Sequence, residues 1–203
     1  MLALMSLESN GPSKPATTVE HSSEAIDPGR PLVLSRDLHA QIVTHLAEWL
    51  PNEGCGLLAS IPDGAVDRAV HFFPGTNIDW SPVRFTMEPA EVIDAIRQMR
   101  EKDWSLAAIL HSHPRTPAVP SRTDLREAYY PHARLLIVSF ASDPPEFGCW
   151  VLLGDHGSRE VRCSPFRIES RWGRVRHHPF LYACGTAFAG FWVAFRRYRA
   201  GNR

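Results

Sequence analysis

Two features predict an α/β domain with helices interleaved among strands: short apolar runs of strand length alternate with stretches of helical period, and the composition is globular. Hydrophobic residues make up 44% of the 203, with ten Phe and six Trp. That is enough for one well-cored domain plus tails, and too apolar for a disordered chain.

The elements follow in order from the pattern. Residues 1–30 are rich in Ser, Pro, Thr and Glu without a sustained hydrophobic period, which predicts a disordered leader. Leu32 to Leu34 form a short strand. Ser35 then offers an N-cap to a helix carrying Leu38, Ile42, Leu46 and Trp49 inward until Pro51 stops it. Glu53 follows in the turn, ahead of a buried strand from Cys55 to Ala59. Ala69 to Phe73 make the next strand, and the loop Pro74-Gly75-Thr76-Asn77 leads to a further short strand at Arg84-Phe85-Thr86. A second helix starts near Pro89, a favoured first-turn residue, with Val92, Ile96 and Met99 inward. Leu106 to Leu110 is a central strand delivering His111 at its end. A short helix from Ser121 to about Tyr130 precedes strands at Leu135–Phe140 and Phe147–Leu153, and one more is expected within Val161–Ile168.

Charge and cysteine usage narrow the function classes. The formal net charge is zero, so no global electrostatic case exists for nucleic acid. Cys55, Cys149, Cys163 and Cys184 are scattered and form no C-x-x-C pair, which fits reduced thiols in a cytoplasmic setting. No basic stretch followed by an apolar h-region opens the chain, so a signal peptide is not expected.

The chemistry concentrates in His111-Ser112-His113-Pro114, Ser121 and Asp124. Strand positions two apart face one side, so both imidazoles point to one place. Two His and one carboxylate leave a fourth zinc position open for water, the pattern of a catalytic rather than a structural site. Ser121 to Asp124 also resembles a capping box, so both residues have a purely structural explanation, and the two roles are compatible. Glu53 is one of many acids, and spacing alone does not select it as a base.

Other H-x-H and cysteine chemistries fit less well. The metallo-β-lactamase pattern needs an Asp where Arg115 stands, and amidohydrolase barrels need about 250 residues. Cys55 sits in an apolar run and reads as a core thiol rather than a nucleophile.

The ordered strings Glu53-Gly54-Cys55-Gly56-Leu57-Leu58, His111-Ser112-His113-Pro114 and Pro120-Ser121-Arg122-Thr123-Asp124 resemble the motif of the JAMM (MPN+) zinc metalloproteases. That pattern is a glutamate, then H-[ST]-H-P, with seven residues between the second histidine and a serine and two more before an aspartate, matched here without a gap. Pro74 to Asn77 and Arg84-Phe85 are similar to the connection between these blocks in prokaryotic members. The resemblance covers about Pro31 to Ile168. It implies a single mixed-sheet domain flanked by helices, of the cytidine-deaminase-like JAMM/MPN type, over 31–168, with a tail from 169 to 203.

It also implies a zinc peptidase or isopeptidase. His111, His113 and Asp124 would bind Zn²⁺, Glu53 would act as general base and acid, and Ser121 would hydrogen-bond the oxyanion. The family cleaves after the C-terminal glycine of ubiquitin-like β-grasp proteins. A compact prokaryotic member resembles those that process sulfur-carrier proteins ending in Gly-Gly, for instance releasing a cysteine. A non-catalytic MPN-type interaction scaffold is the alternative, disfavoured because no motif position is lost.

The uncharged stretch of 17 residues from Pro179 to Phe195, flanked by arginines, has three readings. They are a helix packed on the domain or on a partner in a homodimer, a membrane contact, and an unstructured tail. Its length is at the short limit for a span.

Overall fold

The computed structural model describes residues 27–128, 130, 133–154 and 160–169. The N-terminal leader as far as residue 26 and the apolar segment 179–195 lie outside the described residues. Among the described residues no helix is long and apolar enough to cross a membrane.

Among the described residues eight strands and three helices follow in order: β1 Leu32–Leu34, α1 Arg36–Glu48, β2 Cys55–Asp63, β3 Val66–Gly75, α2 Pro89–Glu101, β4 Ser105–His113, α3 Arg122–Glu127, β5 Arg134–Ser139, β6 Glu146–Leu153, β7 Glu160–Cys163 and β8 Phe166–Ile168. They build one mixed sheet in the order β7-β6-β5-β4-β2-β3-β1-β8. The pairs β1–β3, β1–β8 and β4–β5 are parallel, and the others antiparallel. The mixed-sheet α/β architecture expected from the sequence is the one found.

The helices form where expected, and for the expected reasons. Ser35 Oγ accepts the Leu38 N–H at 3.1 Å, and Leu38, Ile42 and Leu46 are the buried stripe of α1. Pro89 opens α2, whose Ala95 and Met99 are buried. The period-2 alternation of the strands splits the core between two sheet faces. Leu58, Ala108, Leu110, Leu136 and Val138 pack with α1, while Cys55, Leu57 and Ala59 join Met87, Ala95 and Met99 beneath α2.

Three expectations need correcting. Arg84-Phe85-Thr86 is not a strand. The loop makes a single bridge between Asn77 and Met87, because its polar groups are spent on the Asn77 side chain instead of a ladder. The stretch 161–168 is two strands, not one, since Ser164-Pro165 turns the chain away from β6. The helix after Ser121 ends at Glu127 rather than near Tyr130, with Ala128 already extended.

That turn at Ser164-Pro165 closes the sheet. β7 and β8 are consecutive in sequence yet lie at opposite ends of the strand order. Ser164 N–H donates to the Cys149 carbonyl at 2.8 Å, and Leu32 N–H donates to the Pro165 carbonyl at 2.9 Å. The sheet therefore curls until its two edges meet, with Phe147 stacked on Phe166 between them at 5.6 Å and 7°.

Candidate active site

β4 carries both histidines. In phase with Ile109, His111 and His113 project on the α2 side of the sheet, while Ser112 projects to the other. Glu53 precedes β2 in phase with Cys55, which puts it on the same side as the histidines. Cys55 is in register with His111.

Asp124 arrives from the other direction. Ser121 caps α3: its Oγ accepts the Asp124 N–H at 3.2 Å, and its own N–H donates to Asp124 Oδ2 at 2.6 Å. This is a complete capping box with Asp at the third position. The same carboxylate reaches both rings, with Oδ1 3.4 Å from His111 Nε2 and Oδ2 3.5 Å from His113 Nε2. Capping and facing the histidines are thus one conformation. The expected helix start supplies both.

The loop from Pro114 to Pro120 is fastened by three bonds to its carbonyls. Ser139 Oγ donates to Thr116 O at 2.6 Å, His113 Nδ1 lies 2.8 Å from Pro117 O, and Trp150 Nε1 donates to Ala118 O at 2.9 Å. Gly148 permits the approach: a Cβ there would lie 2.0 Å from the Ala118 oxygen.

The three side chains could hold a metal ion. Nε2 of His111 and Nε2 of His113 are 3.2 Å apart, close to the edge of a tetrahedron with bonds of about 2.1 Å, roughly 3.4 Å, and Asp124 turns one oxygen to each ring. The tautomer fits as well. Nδ1 of His113 must carry the proton to bond the Pro117 carbonyl, so Nε2 turns its lone pair inward. His111 is wholly buried and stacked under Phe85 at 4.8 Å and 20°. Burial, outweighing Asp124, holds its pKa below the ordinary value and keeps it neutral. Its Nδ1 has no hydrogen-bond partner among the described residues.

The acids diverge. Burial raises Glu53 to about 7, against a lowering by His113, with Asp124 adding to the rise. It is 4% exposed, and Oε2 has no hydrogen-bond partner among the described residues. Asp124 is also desolvated. The bonds from His111 and His113 outweigh that and hold it far below the usual carboxylate range. Burial depresses His113, but Asp124, Pro117 and Glu53 together shift it upward. Cys55, pushed up to about 12 chiefly by burial, is a protonated core thiol as expected.

All five residues singled out in the sequence gather at this place; Cys55 lies beside them without a polar task. Further residues shape it. Ser112 Oγ accepts the Gly54 N–H at 2.8 Å, and Ser112 N–H donates to the Gly54 carbonyl at 3.0 Å. Alternation along β4 put Ser112 on the far face and gave the sole sequence hint. Asn77 and Phe85 sit on the loop before α2; Pro74 and Gly75, expected in that loop, end β3 instead, and an Asx just past the strand was the available signal for Asn77. No local pattern pointed to Gly148, Trp150 or Ser139. A cavity of about 290 Å³ opens beside His111 and Asp124, walled largely by apolar side chains such as Phe85, Met87, Ile96 and Tyr130.

A family model described as prokaryotic homologs of the JAB domain matches residues 35–153. A CysO-cysteine peptidase of Mycobacterium tuberculosis is 38% identical over 108 residues, 53% of this chain and 73% of that protein. A probable TtuB-protein conjugate cleaving protease of Thermus thermophilus is 34% identical over 116 residues, 57% and 73% of the two chains. A desampylase of Haloferax volcanii is 31% identical over 113 residues, 53% and 80%. Among solved structures, protein DSY2949 of Desulfitobacterium hafniense is similar with a TM-score of 0.62 and 32% identity, covering 72% of this chain and 99% of that one.

Proposed function

This chain belongs to the family of prokaryotic JAB-domain homologues, and from that premise we propose that it is a zinc peptidase. Its reaction is hydrolysis of the bond after the C-terminal glycine of a ubiquitin-like or sulfur-carrier β-grasp protein. The relatives named for cleaving CysO-cysteine and TtuB conjugates support that substrate class. The observation that carries the reading is the convergence of His111 Nε2, His113 Nε2 and Asp124 within hydrogen-bond range of one another. We assign the catalytic unit to residues 31–168.

His111, His113 and Asp124 would hold the ion. When bound, zinc supplies a Lewis acid for the scissile carbonyl and lowers the pKa of a bound water to about 7. Glu53 Oε2, buried and without a partner, takes the proton of the attacking water and returns it to the leaving amine. In the metal-free site burial already pushes this carboxyl up to about 7, so it holds a proton more readily than an exposed glutamate. Ser121 Oγ accepts from the Asp124 N–H and keeps its own proton for the developing oxyanion. The apolar cavity receives the chain next to the scissile bond and keeps bulk water out.

The test uses a β-grasp protein ending in Gly-Gly and extended by one cysteine, with cleavage read by mass and zinc by elemental analysis. About one zinc per chain and release of cysteine are expected. Glu53→Gln keeps the zinc and loses about 10²–10⁴-fold in rate. Undiminished cleavage by Glu53→Gln, or protein without stoichiometric zinc, sinks the proposal.

A further inference from the structure

Asn77 lies on the loop between β3 and α2 and is 0% exposed. Every hydrogen-bonding position of its amide is used. Nδ2 donates to the Glu53 carbonyl at 2.8 Å and to the Arg84 carbonyl at 3.2 Å. Oδ1 accepts the N–H groups of Asp79 and Thr86, each at 3.1 Å. Two carbonyls on one side and two N–H groups on the other fix which end of the amide is nitrogen.

The two sides do different work. Oδ1 and the bond to Arg84 fold the loop on itself, and that loop lays Phe85 on His111 and contributes Arg84, Phe85, Thr86 and Met87 to the cavity wall. The bond to Glu53 reaches outside the loop, to the residue two before β2. It fixes the backbone of Glu53 instead, whose N–H is already held by the Ser81 carbonyl at 2.9 Å and whose next residue is clamped by Ser112. With the backbone held on both sides, only the side-chain torsions of Glu53 remain free.

We infer that Asn77 is a positioning residue: through the Glu53 carbonyl it holds the Glu53 carboxylate at the reacting bond, while its oxygen holds the loop that faces the substrate. The inference rests on the reading of Glu53 as proton carrier. Misplacement of a reacting group by about 1 Å costs on the order of 10²-fold, which sets the size of the effect.

Asn77→Asp separates Oδ1 from Nδ2. A carboxylate still accepts from Asp79 and Thr86, the two bonds that carry most of the loop fold, but has no proton for the Glu53 or Arg84 carbonyl. Asn77→Ala removes both functions. With the Gly-Gly-cysteine substrate, Asn77→Asp is expected to lower kcat about 10–100-fold, with KM within about twofold and zinc content unchanged. Asn77→Ala raises KM as well. Unchanged kcat in Asn77→Asp, or a rise in its KM equal to that of Asn77→Ala, overturns the inference and leaves Asn77 a loop residue.

A measurement on the unaltered protein guards against variants that fail to fold. The side-chain amide protons of Asn77 should resist exchange with solvent in NMR spectra, and free exchange overturns the inference as well. If Glu53→Gln cleaves at the normal rate, the proposed function fails; if Glu53→Gln is inactive while Asn77→Asp is unimpaired, this inference alone fails.

Discussion

Glu53 and Asp124 are both carboxylates on one site, yet their surroundings push them apart. Glu53 is buried with Oε2 unpaired and rises to about 7, while Asp124 takes bonds from two histidines and falls. Such divergence is how two like groups acquire an acid–base role and an anionic role. It also makes a prediction for the metal-free protein. The folded pKa of Glu53 lies above its unfolded value near 4.5, so its stabilising share is complete below 4.5 and is lost as pH rises through about 7. His113, shifted up, acts in the same direction, and His111, shifted down, opposes it. Asp124 acts only at lower pH. Subtracting Glu53→Gln from the unaltered protein in urea titrations at pH 5 and pH 8 isolates the Glu53 share. The difference should favour pH 5 by on the order of 3 kcal/mol at most, and equal stabilities contradict it. The histidine pair and Asp124 were legible from alternation and a helix start. Glu53 was selected only by resemblance, because its place beside them depends on the β2–β4 register, which no local pattern encodes.

Among the elements, the loop from Pro114 to Pro120 connects β4 to α3 and so determines where Asp124 stands. Its three prolines restrict the backbone, but its place is fixed from outside, by Ser139, Trp150 and the bare Cα of Gly148. Gly148→Ala puts a methyl carbon where the Ala118 oxygen now lies, so the loop must move. His113 then loses its Pro117 acceptor and Asp124 its approach. Zinc affinity should fall about 10–100-fold, the usual cost of losing an outer hydrogen bond to a metal-binding histidine. Competition with a chelator measures it, and unchanged affinity would mean that the bonds to Thr116 and Pro117 hold the loop without the close approach at Gly148. Ser121→Ala tests the other end of the same connection. Losing the cap costs about 1 kcal/mol of stability, whereas losing an oxyanion donor costs about 10²–10³ in kcat. A variant that loses stability but keeps kcat reduces Ser121 to its capping role. The cap was legible in the sequence as Ser-x-x-Asp. The glycine's purpose was not, because it is set by a segment some thirty residues away.

At the scale of the whole molecule, the sheet closes on itself, and one buried charge stands at the end away from the histidines and Asp124. Arg134 is 1% exposed and shares the inner face of β5 with Leu136 and Val138. It donates to Asp67 Oδ2 at 2.8 Å, the Arg30 carbonyl at 3.0 Å and Ser164 Oγ at 3.2 Å. These partners belong to β3, to the chain entering β1 and to the turn between β7 and β8, so one side chain ties together the segments that meet where the sheet edges join. The closure was not readable beforehand, since the stretch 161–168 looked like one strand and its division depends on which edge each half finds. Arg134→Ala removes a buried cation and opens a cavity, yet Asp67 keeps Arg30 at 2.6 Å. The cost should therefore sit near the lower end for breaking a buried pair, about 3 kcal/mol. Arg134 is in register with Ala108, three residues before His111 on β4, or about 10 Å along the strand. Thermal unfolding should thus fall by several degrees while zinc content and kcat at low temperature stay unchanged. A variant that loses zinc in proportion to its stability would show instead that the closed sheet and the metal site form one cooperative unit.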